Sequence, residues 1–168
     1  MKILFIVAQE GFRDEELFEP KSICENADIP CDVASITTAP AKGKLGGIVI
    51  PNIAVKDVNS DNYDLLVVVG GPGAPKLGEY SEVLNLIRIF AQKKLAAICY
   101  APTVLAKAGV LKGRRVTFFK DKYSDPIIRE SGAIISDENI CRDGNLVTAN
   151  GPHAATDFGN ALIGLLRM

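Results

Sequence analysis

The chain has 168 residues, 48% of them apolar, and 19 basic against 20 acidic side chains give a net charge of −1. That describes one globular domain (1–168) with a full core, and it excludes a disordered chain, a coiled coil and the basic footprint of a nucleic-acid binder. Lys42 with Lys44, and Lys112 with Arg114 and Arg115, read as solvated loop charge. No apolar run has the length of a membrane span. Cys24, Cys31, Cys99 and Cys141 are widely spaced, and His153 is the single histidine. These give neither a zinc pattern nor a small-domain disulfide framework. The expectation is a chain without metal or cofactor, placed in a reducing cytoplasm.

Lys2–Ala8 is too short, and its flanks too acidic, for a leader peptide, and it predicts the first strand. Gln9–Arg13 reads as a loop and Asp14 as a helix N-cap, with Glu15 and Glu16 placing negative charge in the first turn. The helix continues through Leu17, Phe18, Ile23 and Cys24, and Pro20 is expected to kink it or to mark its true first turn. Cys31–Ile36 alternates as a second strand, and 46–55 reads as a small hairpin or irregular β excursion. Leu65–Val69 is a continuous apolar run, the pattern of a central strand covered on both faces.

Val83, Leu84, Leu86, Ile87 and Phe90 form the buried stripe of the next helix. The run from Leu95 to Ile98 predicts a strand, followed at once by a helix that ends at Gly109. Arg115–Phe119 predicts another strand, 125–130 a helix opened by Pro126, and 138–150 a hairpin turning at Asp143-Gly144. A helix over 154–166 closes the chain. Strands alternating with helices through short Gly-rich loops predict an α/β fold with a parallel sheet sandwiched between helices. In such a sheet the ligand crevice lies at the carboxyl ends of the strands. The loops after Ala8, after Val69 and at Cys99 meet there.

Cys99 stands at the junction of a buried strand and a helix, the mechanics of a nucleophile elbow. Backbone N–H groups and the positive end of the helix dipole favour a thiolate at that point. Read alone, the residue is equally a buried core cysteine. Gly70-Gly71 ends the central strand where the backbone must turn sharply or approach something closely. The N–H groups of Gly71 and Tyr100 are candidate donors to an oxyanion or to a sulfinate on Cys99. Glu16, on the rim of the crevice, is either a proton-relaying partner of the thiol or an ordinary dipole-favoured surface acid. His153 is either a Cys99 partner or an exposed capping residue. The other three cysteines read as structural.

Ala97-Ile98-Cys99-Tyr100-Ala101-Pro102, Val69-Gly70-Gly71-Pro72-Gly73, and Glu16 four residues before Pro20 together resemble the DJ/ThiJ/PfpI superfamily. Val147–Pro152 before the last helix extends the resemblance over almost the whole chain. The resemblance implies a flavodoxin-like sheet and self-association as a homodimer or larger homo-oligomer. It assigns Cys99 as the elbow cysteine, Glu16 as its carboxyl partner, and Gly71 and Tyr100 as backbone donors. Members described as intracellular proteases carry Cys-His-Gly-Pro at the elbow and a glutamate donated by a neighbouring subunit. Here Tyr100 holds the histidine position and Lys76 the glutamate position. Tyrosine, with an ordinary pKa of about 10, is a poor base at neutral pH. His153 is a substitute by analogy with glutamine-amidotransferase folds, whose histidine comes late in the chain.

Two functions of different classes follow from the resemblance. In the first the protein is a glyoxalase- or deglycase-like enzyme: Cys99 attacks a small reactive carbonyl, Glu16 moves protons and the backbone donors hold the oxyanion. In the second, Cys99 is an oxidisable thiol of a redox-sensing or chaperone-like stress protein. The cysteine peptidase ranks third because two of its triad residues are replaced.

Overall fold

The computed structural model describes residues 1–168. The chain begins with β1 (Ile3–Ile6), followed by a short β2 (Glu10–Phe12), α1 (Asp14–Asn26) and β3 (Cys31–Ser35). Next come β4 (Ala41–Gly43), β5 (Ile48–Val49), β6 (Ile53–Ala54) and β7 (Leu65–Val68). The middle of the chain supplies α2 (Ser81–Phe90), β8 (Leu95–Ile98) and α3 (Ala101–Lys107). The last third holds β9 (Arg115–Val116), α4 (Ser124–Glu130), β10 (Ile134–Ile135), β11 (Ile140–Asp143), β12 (Leu146–Ala149) and α5 (Ala155–Leu166).

Seven strands form one sheet in the order β11-β12-β8-β7-β1-β3-β6, parallel except where β11 meets β12. Every side chain of β1, β7, β8 and β12 is buried, as the uninterrupted apolar runs of the first three require of strands covered on both faces. Side chains alternate across the sheet. Leu4, Ile6, Leu66 and Val68 pack with Val83 and Ile87 of α2 and with Val104 and Leu105 of α3. Ile3, Phe5, Leu65 and Val67 pack on the opposite face with Leu17 of α1 and with Phe158 and Leu162 of α5. The α1–α5 contact is close because α5 carries Gly159 there. A Cβ at Gly159 would lie 2.9 Å from Ile23 Cδ1 and 3.0 Å from Pro20 Cα.

Several elements differ from the sequence reading. Glu10–Phe12, read as a loop, is a strand in a small three-stranded sheet with β4 and β5. The β excursion therefore starts at Ala41, and Ile53–Ala54 belongs instead to the edge of the main sheet beside β3. Asp14 is not an N-cap but the first helical residue after Arg13, and its carboxylate accepts from the N–H groups of Leu45 (2.8 Å) and Gly47 (2.7 Å). Pro20 lies inside α1 and does not mark its first turn, so the helix runs on without the bond that a residue 20 N–H would give to the Glu16 carbonyl.

Of Arg115–Phe119 only Arg115–Val116 is a strand, and it pairs with β10 outside the main sheet. The place beside β8 is taken by β12. Thr117 N–H instead reaches Thr148 Oγ1 at 2.9 Å, and Phe119 N–H the Cys99 carbonyl at 2.9 Å. The β11–β12 hairpin pairs Asp143 with Leu146, which moves its two-residue turn one place on, to Gly144-Asn145, with Gly144 at φ +58°.

Candidate active site

The carboxyl ends of β1, β7 and β8 lie side by side, and the three loops that leave them build the site. Cys99 follows β8 directly. Its φ of +64° is in the left-handed region that a non-glycine residue rarely occupies. Two hydrogen bonds hold the residue in that conformation: Cys99 N–H to the Ala149 carbonyl (2.9 Å), and Phe119 N–H to the Cys99 carbonyl (2.9 Å). The turn is sharp because β8 stops at Ile98 and α3 already runs from Ala101. The turn leaves Cys99 only 6% exposed.

Gly70 and Gly71 bring the β7 loop against the thiol. A Cβ on Gly70 would stand 2.5 Å from Glu16 Oε2 and 2.6 Å from Cys99 Cβ, so the carboxyl and the thiol flank the same point. Gly71 has φ +100°, and a Cβ there would collide with the backbone nitrogen of Arg13. Arg13 N–H in turn donates to the Gly70 carbonyl at 3.0 Å, which fixes the start of α1, and hence Glu16, to the β7 loop. The backbone N–H groups of Gly71 and Tyr100 lie beside the Cys99 thiol and act to lower its pKa.

Glu16 is fully buried, and neither carboxyl oxygen has a hydrogen-bond partner of good geometry. The polar groups beside it are the Cys99 thiol and the Gly70 N–H. Burial pushes its pKa up to about 8, so the carboxyl carries its proton at neutral pH. The Cys99 thiol is pushed up to about 12, first by burial and then by the charge of an ionised Glu16, against the lowering effect of the two N–H donors. The second of those causes exists only while Glu16 is a carboxylate.

Tyr100 packs edge-on against Phe119 (5.4 Å between ring centres) and Tyr123 (5.9 Å), and its hydroxyl donates to the Asp121 carboxylate. That bond raises the phenol to about 12, which removes Tyr100 as a base. The cavity over Cys99 has a volume of about 200 Å³ and is lined also by Arg13, Lys44, Gly71, Tyr100, Phe119 and Pro152. Lys44, Arg13 and Phe119 were not candidates from the sequence. Arg13 lies in the loop after β1 that the strand pattern already placed at the crevice, whereas nothing local marks Lys44.

The structure brings Cys99, Glu16, Gly71 and Tyr100 together. It places His153 elsewhere: the imidazole is exposed and lines a neighbouring pocket with Thr117, Lys120, Asp137 and Asn150, which does not contain Cys99. Lys76 lines a third pocket with Gln9 and Tyr80, apart from the thiol of its own chain. Cys24 and Cys141 are buried and Cys31 is half-buried, all within secondary structure. No cluster of three or more potential metal ligands exists, and no helix is long and apolar enough to cross a membrane.

The sequence profile of the DJ-1/PfpI family matches residues 1–165. The chain belongs to this family. An uncharacterized protein of Methanocaldococcus jannaschii is 37% identical over 161 residues, covering 94% of this chain and 78% of that one. A deglycase of Thermococcus kodakarensis is 32% identical over 169 residues, covering 99% of this chain and all of the other. The crystal structure of a ThiJ/PfpI domain protein from Brachyspira murdochii superposes with a TM-score of 0.94 at 34% identity, over 99% of this chain and 96% of that one.

Proposed function

We propose that this DJ-1/PfpI protein is an enzyme acting on small reactive carbonyls, with Cys99 as nucleophile and Glu16 as its proton donor and acceptor. The observation that carries the reading is the buried, unpartnered carboxyl of Glu16 beside the Cys99 thiol, at a point that a Cβ on Gly70 would fill. The first proton lost by the pair leaves one negative charge between the two groups, and its titration belongs to the pair. With the remaining proton on Glu16, the carboxyl O–H and the Gly71 and Tyr100 N–H groups are the three donors available to a thiolate.

The thiolate attacks the aldehyde carbon of an α-oxo aldehyde. A C–S bond forms and the carbonyl π pair moves to oxygen, with the Gly71 and Tyr100 N–H groups as its donors. Glu16 passes its proton to that oxygen, giving a hemithioacetal. The carboxylate then removes the C1 proton to give an enediolate, the proton of the C1 hydroxyl passes to the C2 oxygen, and Glu16 returns its proton to C2, leaving a thioester of the α-hydroxy acid. Water cleaves the thioester and the thiol is restored, so methylglyoxal plus water becomes lactate. The name deglycase given to the Thermococcus relative supports this reading. Cys99→Ser is expected to abolish lactate formation, and wild-type turnover in that variant would overturn the mechanism.

The second reading, an oxidation-sensing thiol, draws on the same three donors, which suit the oxygens of a sulfinate on Cys99. It predicts that mild hydrogen peroxide adds two oxygens to Cys99 and none to Cys24, Cys31 or Cys141. Uniform oxidation of all four sets this reading aside.

A further inference from the structure

We infer that the Cys99 cavity selects carbonyl compounds that carry a negatively charged group, a carboxylate or a phosphate, and that Lys44 is the residue that selects them. The inference rests on the reading of Cys99 as the nucleophile and adds the substrate class.

Of the two cations that line the cavity, Arg13 is paired with a carboxylate and Lys44 is not. Arg13 is held by Glu15 through two bonds, Nε to Oε2 at 2.7 Å and Nη2 to Oε1 at 3.2 Å. The Asp14 carboxylate is occupied by the N–H groups of Leu45 and Gly47. Asp121 accepts from the Tyr100 hydroxyl and from the N–H groups of Tyr123 and Ser124. Glu16 is buried beneath the thiol and keeps its proton. Lys44 makes no ion pair, is exposed, and lines the cavity with Cys99.

Its position is built rather than incidental. Lys44 N–H donates to the Phe12 carbonyl at 2.8 Å, and Gly43 N–H to the Gly47 carbonyl at 2.7 Å. The loop wraps the Asp14 carboxylate so tightly that a Cβ at Gly43 would collide with it, and one at Gly47 would stand 2.5 Å from Oδ2. Asp14 is two residues before Glu16, so the first turn of α1 holds both the proton-bearing carboxyl and the loop that presents Lys44. A cavity of about 200 Å³ accepts a molecule of a few carbons, so an anionic group on a bound aldehyde cannot lie far from the lysine.

The test compares alkylation of Cys99 by iodoacetate (anionic) and by iodoacetamide (neutral), and needs no turnover. The iodoacetate-to-iodoacetamide rate ratio at Cys99 is expected to exceed that of glutathione and to fall as salt is added. Lys44→Gln is expected to lower the ratio about tenfold, the worth of one charge-assisted hydrogen bond, and Lys44→Arg to keep it. Lys42→Gln, on the same excursion but outside the cavity, is expected to leave the ratio as it is. An equal ratio in wild type and Lys44→Gln overturns the inference. Protection of Cys99 from iodoacetamide by glyoxylate and by glyceraldehyde 3-phosphate, each against propanal, separates carboxylate from phosphate selection, and no advantage for either anion also overturns it. A Lys44-dependent ratio in a protein that forms no lactate would leave charge selection standing and remove the carbonyl enzyme.

Discussion

Replacing Glu16 by glutamine removes an ionisation whose consequence for stability is calculable. Burial holds this carboxyl at about 8 in the folded chain against an ordinary 4.5. Between those values the unfolded chain releases a proton that the folded chain keeps. Raising the pH therefore favours unfolding: the contribution is fully present below the lower value and lost by the upper one. At 1.36 kcal/mol per pH unit, the loss is about 3.5 kcal/mol between pH 5 and pH 8. Glu16→Gln has no such term, although its amide carries a roughly constant penalty for unmatched hydrogen bonds. Urea unfolding followed by circular dichroism at pH 5, 6, 7 and 8 gives the difference between the two proteins, and titrating groups away from the Cys99–Glu16 pair cancel. The variant is expected to gain about 3.5 kcal/mol on wild type across that range. Parallel stability curves would refute the buried, protonated carboxyl.

Three further substitutions probe the surroundings. Gly70→Ala places a methyl group against the Ile98 carbonyl, Glu16 and Cys99 Cβ, and is expected to destabilise the fold by about 3 kcal/mol in urea melts. Tyr100→Phe loses the bond to Asp121, and should lower stability by about 1 kcal/mol while leaving the pH dependence of turnover near neutrality unchanged, because the phenol keeps its proton there. His153→Ala, at an exposed residue of a separate pocket, is expected to keep wild-type lactate formation, and a large drop would restore a Cys-His pairing.

The parts of this protein that were legible in the sequence are those fixed by contiguous residues. The apolar runs at β1, β7 and β8 can be satisfied only in a sheet covered on both faces, and the loops that follow them had to meet at its carboxyl edge. Cys99, Gly71 and Tyr100 sit in those loops, and Glu16 begins the helix after the first of them. What was not legible depends on distant pairings. Glu10–Phe12 is a strand only because Ala41–Gly43 lies beside it. Arg115–Phe119 has strand composition, but β12 occupies the edge it would need. Lys44 read as loop charge because its placement comes from Asp14, some thirty residues away, through bonds to Leu45 and Gly47. His153 was drawn to the thiol by chemistry alone. It is Pro152, one residue earlier, that lines the cavity over Cys99.

The central claim is that Cys99 and Glu16 share a proton so that sulfur, not carboxyl, carries the charge in the reactive state. The rate of Cys99 alkylation by iodoacetamide from pH 5 to pH 10, read by mass spectrometry, tests it most directly. The account predicts a rate that rises through a midpoint at or below about 8 and a different midpoint in Glu16→Gln. A thiol that stays unreactive until pH 10, in step with a pKa of about 12, would contradict it.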